Sequence, residues 1–318
     1  MFFEAFKTAF SGVAQILILG LIGYFLKKRN ALSEAGLDAL SSLTINVTLP
    51  LLIFCQLVAD FNFALYPDWW LFPLISIAVT LVGLAVGVVF LRFISGRQRR
   101  LQFLNLVTFQ NSGYLPLAMV AALLPAEKVG PMFIYLFLFL IGFNLIMWPL
   151  AAYILSFSKD TRIRLSDIFN PPVIAAILGV AAAFFGINKF VPALVLKPLK
   201  MVGDCTLPLA MFVVGADLAR IKVEHFDRKA MLLLVAAKLV VLPALGLWFV
   251  SRFRMPELLG LLILLQLAVP PATSLSVIAR HYKKEDLLIS QGIFFGHVLS
   301  LVTMPVFLSL YFSRIMVR

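Results

Sequence analysis

The stretch FQNSGYLPLAM, residues 109–119, places polar side chains in the middle of a long apolar segment. Asn111 and Ser112 can donate and accept hydrogen bonds, whereas Gly113 and Pro116 are poor helix formers. Proline also removes a backbone donor and clashes with the preceding turn, so we expect the helix to break here. Amide and hydroxyl groups beside a broken helix suit the binding of a polar ligand. The pattern therefore predicts a binding site.

A second stretch of the same kind occurs in the other half of the sequence. VPPATS, residues 269–274, places Pro270 and Pro271 before the hydroxyl residues Thr273 and Ser274. Two adjacent prolines cannot continue a helical hydrogen-bond ladder. We therefore expect a second broken helix, again with hydrogen-bonding side chains at the break.

The elements that must position these residues are helices of membrane length. The 318 residues are 62% hydrophobic and only 13% charged, whereas soluble domains are about half apolar and about a quarter charged. An apolar helix of roughly 20 residues crosses a bilayer. The sequence divides into ten such segments, at 9–27, 40–59, 69–92, 102–125, 131–157, 172–192, 201–219, 230–251, 256–279 and 286–312. The predicted fold class is an all-α integral membrane protein with ten transmembrane helices.

The positions of the basic residues predict an orientation in the membrane. Most of the 27 lysines and arginines lie in the loops after the first, third, fifth, seventh and ninth spans. The positive-inside rule makes these loops cytoplasmic and puts both termini outside. We expect a multi-pass protein of the cell (inner) membrane. The net charge of +12 does not indicate a nucleic-acid partner, because no basic helix or aromatic-basic stripe could follow phosphates.

An internal repeat relates the two halves of the chain. TLPLLIF at 48–54 recurs as TLPLAMF at 206–212, and the same shift carries the first polar stretch onto the second. The halves, residues 1–158 and 159–318, would each hold five spans. Because five is odd, the second copy must enter the membrane upside down. Inverted repeats of this kind are typical of secondary transporters.

Two interrupted helices at corresponding positions of two halves are the best sequence indication of a transporter's binding site. Broken helix ends expose N–H groups with partial positive charge, which favours an anionic ligand. The alternative is a pair of structural proline kinks, which are common in membrane helices.

Lys238 is the only basic residue deep within a predicted span. A charge at that depth is costly unless it is paired or hydrated, so such a residue is a functional candidate. We expect Lys238 to lie near the crossing of the two broken helices and to act as a fixed cation. The alternative is a structural lysine that caps carbonyl groups of a broken helix.

Four further polar residues in the spans are candidates for coupling or binding. Asp204 could accept a proton or pair with a cation, or it could lie hydrated near the outer end of its span. Asn46 is its counterpart in the first half. Gln266, one turn before the second break, could line the site or hydrogen-bond a neighbouring helix. His297 could relay protons, or it could be a neutral interhelical hydrogen-bonding residue.

Other classes of protein are disfavoured by what the sequence lacks. It contains no Walker loop, dinucleotide glycine fingerprint, Cys-x-x-Cys pair or His-Glu-x-x-His motif. We therefore expect no cofactor, no metal and no enzymatic activity. A channel should show rings of like charge or a continuous polar lining, and neither is visible.

Five motifs, in this order and spacing, resemble the auxin efflux carrier family. They are LTINVTLPLLIF, FQNSGYLPLAM, LPLAMFVVGADLA, AAKLVVLPAL and LAVPPATSLSVIARHY. The resemblance covers essentially the whole chain. It implies a five-plus-five inverted repeat with crossing broken helices 4 and 9, similar to bile acid sodium symporters, and an elevator mechanism. Spans 1, 2, 6 and 7 would form the scaffold and a homodimer interface, and spans 3–5 and 8–10 would form the transport domain.

The resemblance also assigns roles to single residues. It places Asn111 at the polar position before the first break and Pro270 and Pro271 at the second break. It matches Lys238 with a lysine of bacterial members. Plant auxin exporters carry an asparagine close to the position of Val269, so the resemblance leaves open an organic anion other than auxin.

Together these features predict a secondary transporter in the lipid bilayer for a small organic anion, a carboxylate. The expected ligand-binding side chains are those of Asn111, Ser112, Thr273 and Ser274, with Lys238 supplying charge. No arginine is expected near the site to clamp a second carboxylate, which favours monocarboxylates. The alternative is a sodium-coupled symporter of the bile acid type. Few acidic residues lie near the crossing to bind a hard cation.

Overall fold

The structure is a computed structural model that describes residues 2–156, 169–221, 227–253, 255–281 and 287–314. About 85% of it is helix, and the described residues form no strand, which confirms the all-α prediction. The helices of the first half are α1 (Phe2–Lys28), α2 (Glu34–Leu43), α3 (Leu49–Asp60), α4 (Leu71–Phe90), α5 (Arg97–Thr108), α6 (Tyr114–Leu123) and α7 (Ala126–Ser156). Those of the second half are α8 (Pro171–Phe184), α9 (Ala193–Asp204), α10 (Thr206–Arg220), α11 (Arg228–Leu234), α12 (Leu242–Arg252), α13 (Glu257–Ala268), α14 (Ser274–His281) and α15 (Leu287–Arg314).

Several of these helices join end to end into longer rods. A π-helical turn at Thr44–Thr48 links α2 to α3, another at Val235–Val241 links α11 to α12, and α9 continues into α10. Seven helices in the described residues are then long and apolar enough to cross a membrane. They are Phe2–Lys28, Glu34–Asp60, Leu71–Phe93, Ala126–Leu155, Ala193–Arg220, Arg228–Arg252 and Leu287–Ser313. The chain is therefore a multi-pass membrane protein, and its division into ten spans stays a prediction.

Three of the ten predicted segments contain only shorter apolar helices, because backbone breaks interrupt them. The predicted spans 102–125 and 256–279 are each divided, into α5 and α6 and into α13 and α14. The predicted span 172–192 loses its last turns because Gly186 adopts a left-handed conformation with φ of 71°. A 3₁₀ turn, Ile187–Phe190, follows it. Glycine takes this conformation without the steric cost that a Cβ atom brings.

Glycines bring the helices of the bundle into close contact. A Cβ atom at Gly215 on α10 would collide with the carbonyl oxygen of Gly20 on α1, and one at Gly203 on α9 would lie 2.7 Å from the backbone nitrogen of Leu52. Small residues allow this approach, which maximises van der Waals contact in a lipid environment without a hydrophobic driving force. These contacts tie α1 to α10 and α3 to α9.

Two pairs of glycines hold the broken helices in place. Gly83 and Gly87 on α4 face the last turns of α5, where a Cβ at Gly83 would lie 2.8 Å from the Thr108 carbonyl oxygen. On α15, a Cβ at Gly292 would meet Leu106 of α5, and one at Gly296 would lie 2.6 Å from the Pro271 ring. The neighbouring helices therefore pack directly against both breaks.

Candidate functional site

The two helix breaks pair with each other through backbone hydrogen bonds. The Asn111 N–H donates to the Pro270 carbonyl at 2.9 Å, and the Ala272 N–H donates to the Phe109 carbonyl at 3.1 Å. The two short segments thus run antiparallel, like one rung of a sheet. Backbone groups freed from helices inside a membrane must find partners in the protein. Each break satisfies the other, which explains why two breaks occur and why they lie together.

A cavity of about 300 Å³ lies beside the paired breaks. The breaks form its inner end, with Gln110, Asn111, Ser112, Gly113, Tyr114, Ala272, Thr273 and Ser274. Apolar side chains form much of its wall, including Ile45, Leu49, Leu140, Phe143, Met147, Trp148 and Val213. At its other end lie residues from the start of α2, the start of α8 and the end of α10. The cavity therefore extends from the breaks toward the loops that are predicted to be cytoplasmic.

The structure places five of the predicted binding residues on the cavity wall. They are Asn111, Ser112, Gly113, Thr273 and Ser274. Three predicted prolines, Pro116, Pro270 and Pro271, are buried at or near the breaks but do not line the cavity. These prolines shape the backbone at the breaks and so bring the polar side chains together.

Gln266 reaches the first break from α13, the helix that precedes the second break. Its side chain is fully buried, and its Nε2 donates to the Ser112 carbonyl oxygen at 3.3 Å. Gln266 thus connects the two broken helices and does not line the cavity. This is the interhelical hydrogen bond that the sequence left open as one alternative.

Lys238 lies behind the first break and not on the cavity wall. The side chain is 1% exposed, and Nζ donates to the Val107 carbonyl oxygen at 3.0 Å. Val107 belongs to the last turn of α5, whose carbonyl groups have no partner within the helix. A cation is favoured there because it faces the negative end of the helix dipole. In this conformation Lys238 caps a broken helix at the level of the crossing.

Asn46 and Asp204 lie away from the cavity, exposed on the outside of the bundle. Asn46 donates to Ser42 Oγ at 3.0 Å, and Lys200 donates to Asp204 at 2.8 Å. Both pairs span four residues, and the repeat places them at equivalent positions of the two halves. Neither residue contacts the paired breaks in this structure.

Three amide residues of the cavity wall are not among those predicted from the sequence. Gln110, in the middle of the first polar stretch, lines the cavity, and its Nε2 is buried without a hydrogen-bond partner. Asn144 and Asn170 add two more amides, joined by a 3.0 Å hydrogen bond from Asn170 Nδ2 to Asn144 Oδ1. Gln110 was visible as a polar residue in the motif, whereas Asn144 and Asn170 become neighbours only when α7 packs beside the start of α8.

An arginine also lines the cavity, contrary to the expectation from sequence. Arg220 ends α10 at the outer end of the cavity, about as far along the wall as Asp38 and Asp217. Its guanidinium pairs with Asp38 at 3.0 Å, with Asp217 at 3.2 Å and with Glu34. Sequence separation concealed this cluster, because helices that are distant in the chain end at the same level. The three carboxylates engage the two terminal nitrogens of Arg220, whereas its Nε is buried without a partner. Two carboxylates and one guanidinium line this end of the cavity, which leaves it acidic.

Unpaired polar atoms at the breaks show where a ligand could make hydrogen bonds. Gln110 Nε2 and Ser112 Oγ are buried without partners, and both residues line the cavity. A buried polar group without a partner costs about 1–3 kcal/mol, so unpaired groups at a cavity need an explanation such as bound water or a ligand. Both groups can donate hydrogen bonds. The inner end of the cavity is therefore suited to an acceptor such as a carboxylate.

Long apolar helices, together with a polar cavity at two paired breaks, define a membrane transport protein. The chain belongs to the family described as membrane transport protein, whose sequence model matches residues 8–164 and 160–308. The resemblance to auxin efflux carriers is thereby confirmed.

Relatives that match the chain are described as transporters or efflux carriers. The chain is 27% identical over 307 residues to an uncharacterized transporter of Methanothermobacter thermautotrophicus, covering 92% of this chain and 95% of the relative. It is 23% identical over 296 residues to an uncharacterized transporter of Methanocaldococcus jannaschii, covering 90% and 94%. It is also 28% identical over 148 residues to auxin efflux carrier component 8 of Arabidopsis thaliana, covering 46% of this chain and 40% of that protein.

Proposed function

We propose that this transporter carries a small organic anion, a carboxylate, which binds in the cavity at the paired breaks. The observation that carries the proposal is the pair of unpartnered donors, Gln110 Nε2 and Ser112 Oγ, at the inner end of the cavity. The N-termini of α6 and α14 begin at the same place, with Gly113 and Thr273 on the wall. Helix N-termini favour anions through free N–H groups and the helix dipole.

The rest of the cavity favours one carboxylate attached to an apolar body. Phe143, Met147 and Trp148 provide an apolar wall beside the polar inner end. Only Nε of Arg220 is without a partner, so the guanidinium could clamp a second carboxylate with two hydrogen bonds only by giving up one of its pairs with the surrounding acidic residues. The second carboxylate of a dicarboxylate would therefore meet an acidic surface at the end of the cavity away from the breaks. This supports a monocarboxylate substrate.

We further propose that transport follows an elevator mechanism. The cavity lies on the boundary between the two sets of helices that the resemblance distinguishes. Its inner end and one wall come from the two breaks, α6, α7 and α14, which belong to the transport domain. The opposite wall comes from α2, α3, α8 and α10, which belong to the scaffold. A ligand held by the paired breaks would then move with the transport domain past a fixed scaffold.

A homodimer through the scaffold is proposed for a related reason. Asn46 and the Lys200–Asp204 pair are exposed near the middle of helices of membrane length. Polar and charged groups at that depth are costly when they face lipid. A second copy of the chain that packs on this surface would remove them from the lipid.

Lys238 supports a carrier that needs no sodium. Its Nζ bonds the Val107 carbonyl oxygen at the crossing, so we propose that it provides a fixed positive charge in place of a coupling cation. A sodium-coupled symporter remains the rival. Such a protein should show clustered acidic ligands, and the described residues contain no group of three or more His, Cys, Asp and Glu side chains suited to a metal ion.

The test is thermal stabilisation of the purified protein by a panel of monocarboxylates and dicarboxylates, with and without sodium. Ligand binding to the folded state raises its apparent stability by mass action. We expect a monocarboxylate to raise the melting temperature of the wild type and of Asn46→Ala, whose amide lies outside the cavity. Stabilisation should be lost in Gln110→Ala and Ser112→Ala.

Two outcomes would contradict the proposal. Equal stabilisation of the wild type and both cavity variants would place the ligand elsewhere. Stabilisation that requires sodium and survives Lys238→Ala would favour the sodium-coupled symporter.

A further inference from the structure

We propose that His297 sets the orientation of the Asn111 amide and thereby couples binding of the anion to uptake of one proton. This inference rests on the proposed function, because it concerns the same cavity. It adds a residue, His297, that does not line the cavity and acts only through Asn111.

The hydrogen bonds of His297 match those of a neutral imidazole. The imidazole is 7% exposed; Nδ1 lies 2.8 Å from the Ile293 carbonyl oxygen, and Nε2 lies 3.2 Å from Asn111 Nδ2. A carbonyl oxygen can only accept, so Nδ1 carries the hydrogen. An amide nitrogen can only donate, so Nε2 is the acceptor. The imidazole is therefore neutral, and the Asn111 amide is held with its NH₂ group toward His297.

This orientation limits what Asn111 can offer an anion. Its backbone N–H donates to Pro270, and one N–H of its side-chain NH₂ donates to His297. The second N–H and Oδ1 remain, and Asn111 is part of the cavity wall. At most one side-chain donor is therefore available to a carboxylate, and the free amide oxygen, which only accepts hydrogen bonds, opposes its binding.

Protonation of His297 reverses the arrangement. A proton taken up from water onto Nε2 makes both ring nitrogens donors. Nε2–H then needs an acceptor, which a half-turn of the Asn111 amide supplies by exchanging Oδ1 and Nδ2. Both N–H groups of the amide are then released from His297 and can donate to a carboxylate, while Oδ1 is engaged by the imidazolium. Proton and anion each favour the binding of the other, as linkage requires.

The described helices that pack around His297 carry no carboxylate in their central turns. Its helix, α15, packs against α1, α5, α13, α14 and the α11–α12 rod. On these elements Lys238 is the ionisable residue in the middle of a helix, and as the cation proposed above it supplies no negative charge. The other ionisable residues of these helices, and those of α15, lie in the first or last two turns. A carboxylate bound at the breaks is therefore the counter-charge that an imidazolium at His297 would meet.

The experiment measures the dissociation constant of the carboxylate found by the stabilisation panel between about pH 8 and 6, where a free carboxylate stays ionised. For the wild type we expect tighter binding at lower pH, by up to about tenfold per pH unit, because one proton binds with each anion. His297→Gln is the matched variant, since a glutamine amide can donate or accept at any pH. We expect its binding to be independent of pH in this range.

Proton uptake provides a second measurement that needs only the wild type. Addition of the carboxylate in weakly buffered solution should raise the pH of the bath, corresponding to as much as one proton taken up per anion bound. Asn111→Ala should bind more weakly and without this uptake. No proton uptake by the wild type, or the same pH dependence in His297→Gln, would overturn the role of His297 while leaving the proposed function intact. No binding of any carboxylate at any pH would overturn the proposed function itself.

Discussion

At the scale of single residues, the position of each side chain relative to the breaks determines its role. Asn111 and Ser112 are adjacent in sequence, yet one amide is engaged by His297 and the neighbouring hydroxyl has no partner. Gln266 and Lys238 approach the same break from behind and hold its carbonyl groups. Residues on the cavity wall are therefore candidates for ligand contact, whereas residues behind it stabilise the break.

Gly113 allows a direct test of the cavity as the binding site. A Cβ atom at this position would meet nothing within 4 Å, and its φ of −94° suits any residue. We expect Gly113→Ala to change the free energy of unfolding by no more than about 0.5 kcal/mol, while Gly113→Leu fills part of the cavity. Carboxylate affinity should fall in the order Gly, Ala, Leu, as measured by thermal shift. Unchanged affinity in Gly113→Leu would argue against this cavity.

Lys238 should contribute to stability through the Val107 carbonyl group. Lys238→Met keeps a long side chain but removes the donor, which leaves a buried acceptor unpaired at a cost of about 1–3 kcal/mol. Thermal unfolding in detergent should show a lower melting temperature than for the wild type. The matched control is Lys28→Met, because Lys28 is an exposed lysine at the end of α1, beside the first loop, and surface substitutions of this kind change stability little. Equal melting temperatures of the two variants would contradict the capping role.

At the scale of elements, the breaks and the rods depend on close backbone packing. The π-helical turns at Thr44–Thr48 and Val235–Val241 occur in α2–α3 and in α11–α12. Such turns insert an extra residue into a helix and are frequent at functional sites. The second one carries Lys238, so the extra residue alters the direction in which the side chain leaves its helix.

The crossing of α1 and α10 predicts which glycine of the pair tolerates a larger side chain. Gly20 and Gly215 face each other, but a Cβ at Gly215 would collide with the Gly20 carbonyl oxygen, whereas one at Gly20 would lie 4.0 Å from the nearest atom, the Met211 carbonyl oxygen. We therefore expect Gly215→Ala to destabilise the protein by about 1–3 kcal/mol and Gly20→Ala to be tolerated. The two variants carry the same substitution on opposite sides of one helix crossing, and thermal unfolding measures how much each lowers the melting temperature. If Gly20→Ala were the more harmful substitution, this packing would be wrong.

At the scale of the whole molecule, the cavity opens toward one end of the bundle. Its outer end is formed by the start of α2, the start of α8 and the end of α10. These helix ends adjoin loops that the basic residues assign to the cytoplasm. If that assignment is correct, the structure is an inward-facing state.

Cysteine labelling tests the orientation on which this interpretation depends. The chain has two cysteines, Cys55 and Cys205, which can be replaced by alanine to give a background without thiols. Single cysteines are then introduced at Asn30, in the first loop, and at Asp68, in the second; both positions are exposed. We expect a membrane-impermeant maleimide to label Asp68→Cys in intact cells and Asn30→Cys only after permeabilisation. The reverse pattern would invert the predicted topology and make the cavity outward-facing.

Much of this architecture follows from the sequence by itself. Pro116, Pro270 and Pro271 lie at or just after the breaks, and prolines next to polar residues predict a break without reference to the fold. Proline alone does not, because Pro149 and Pro305 lie inside continuous helices. Hydropathy determines which segments enter the membrane, and the repeat indicates that the two breaks correspond. Five of the residues chosen on these grounds line the cavity.

Tertiary structure decided what each polar group faces. Lys238, Gln266 and His297 were all visible as polar residues in apolar helices, but their partners Val107, Ser112 and Asn111 are distant in the chain. Arg220 meets Glu34 and Asp38 only because α10 ends where α2 begins. Hydrogen bonds and ion pairs depend on distance and direction in three dimensions, and these are set by how helices cross. A sequence therefore predicts the positions of helix breaks, whereas packing decides which side chains the breaks bring into contact.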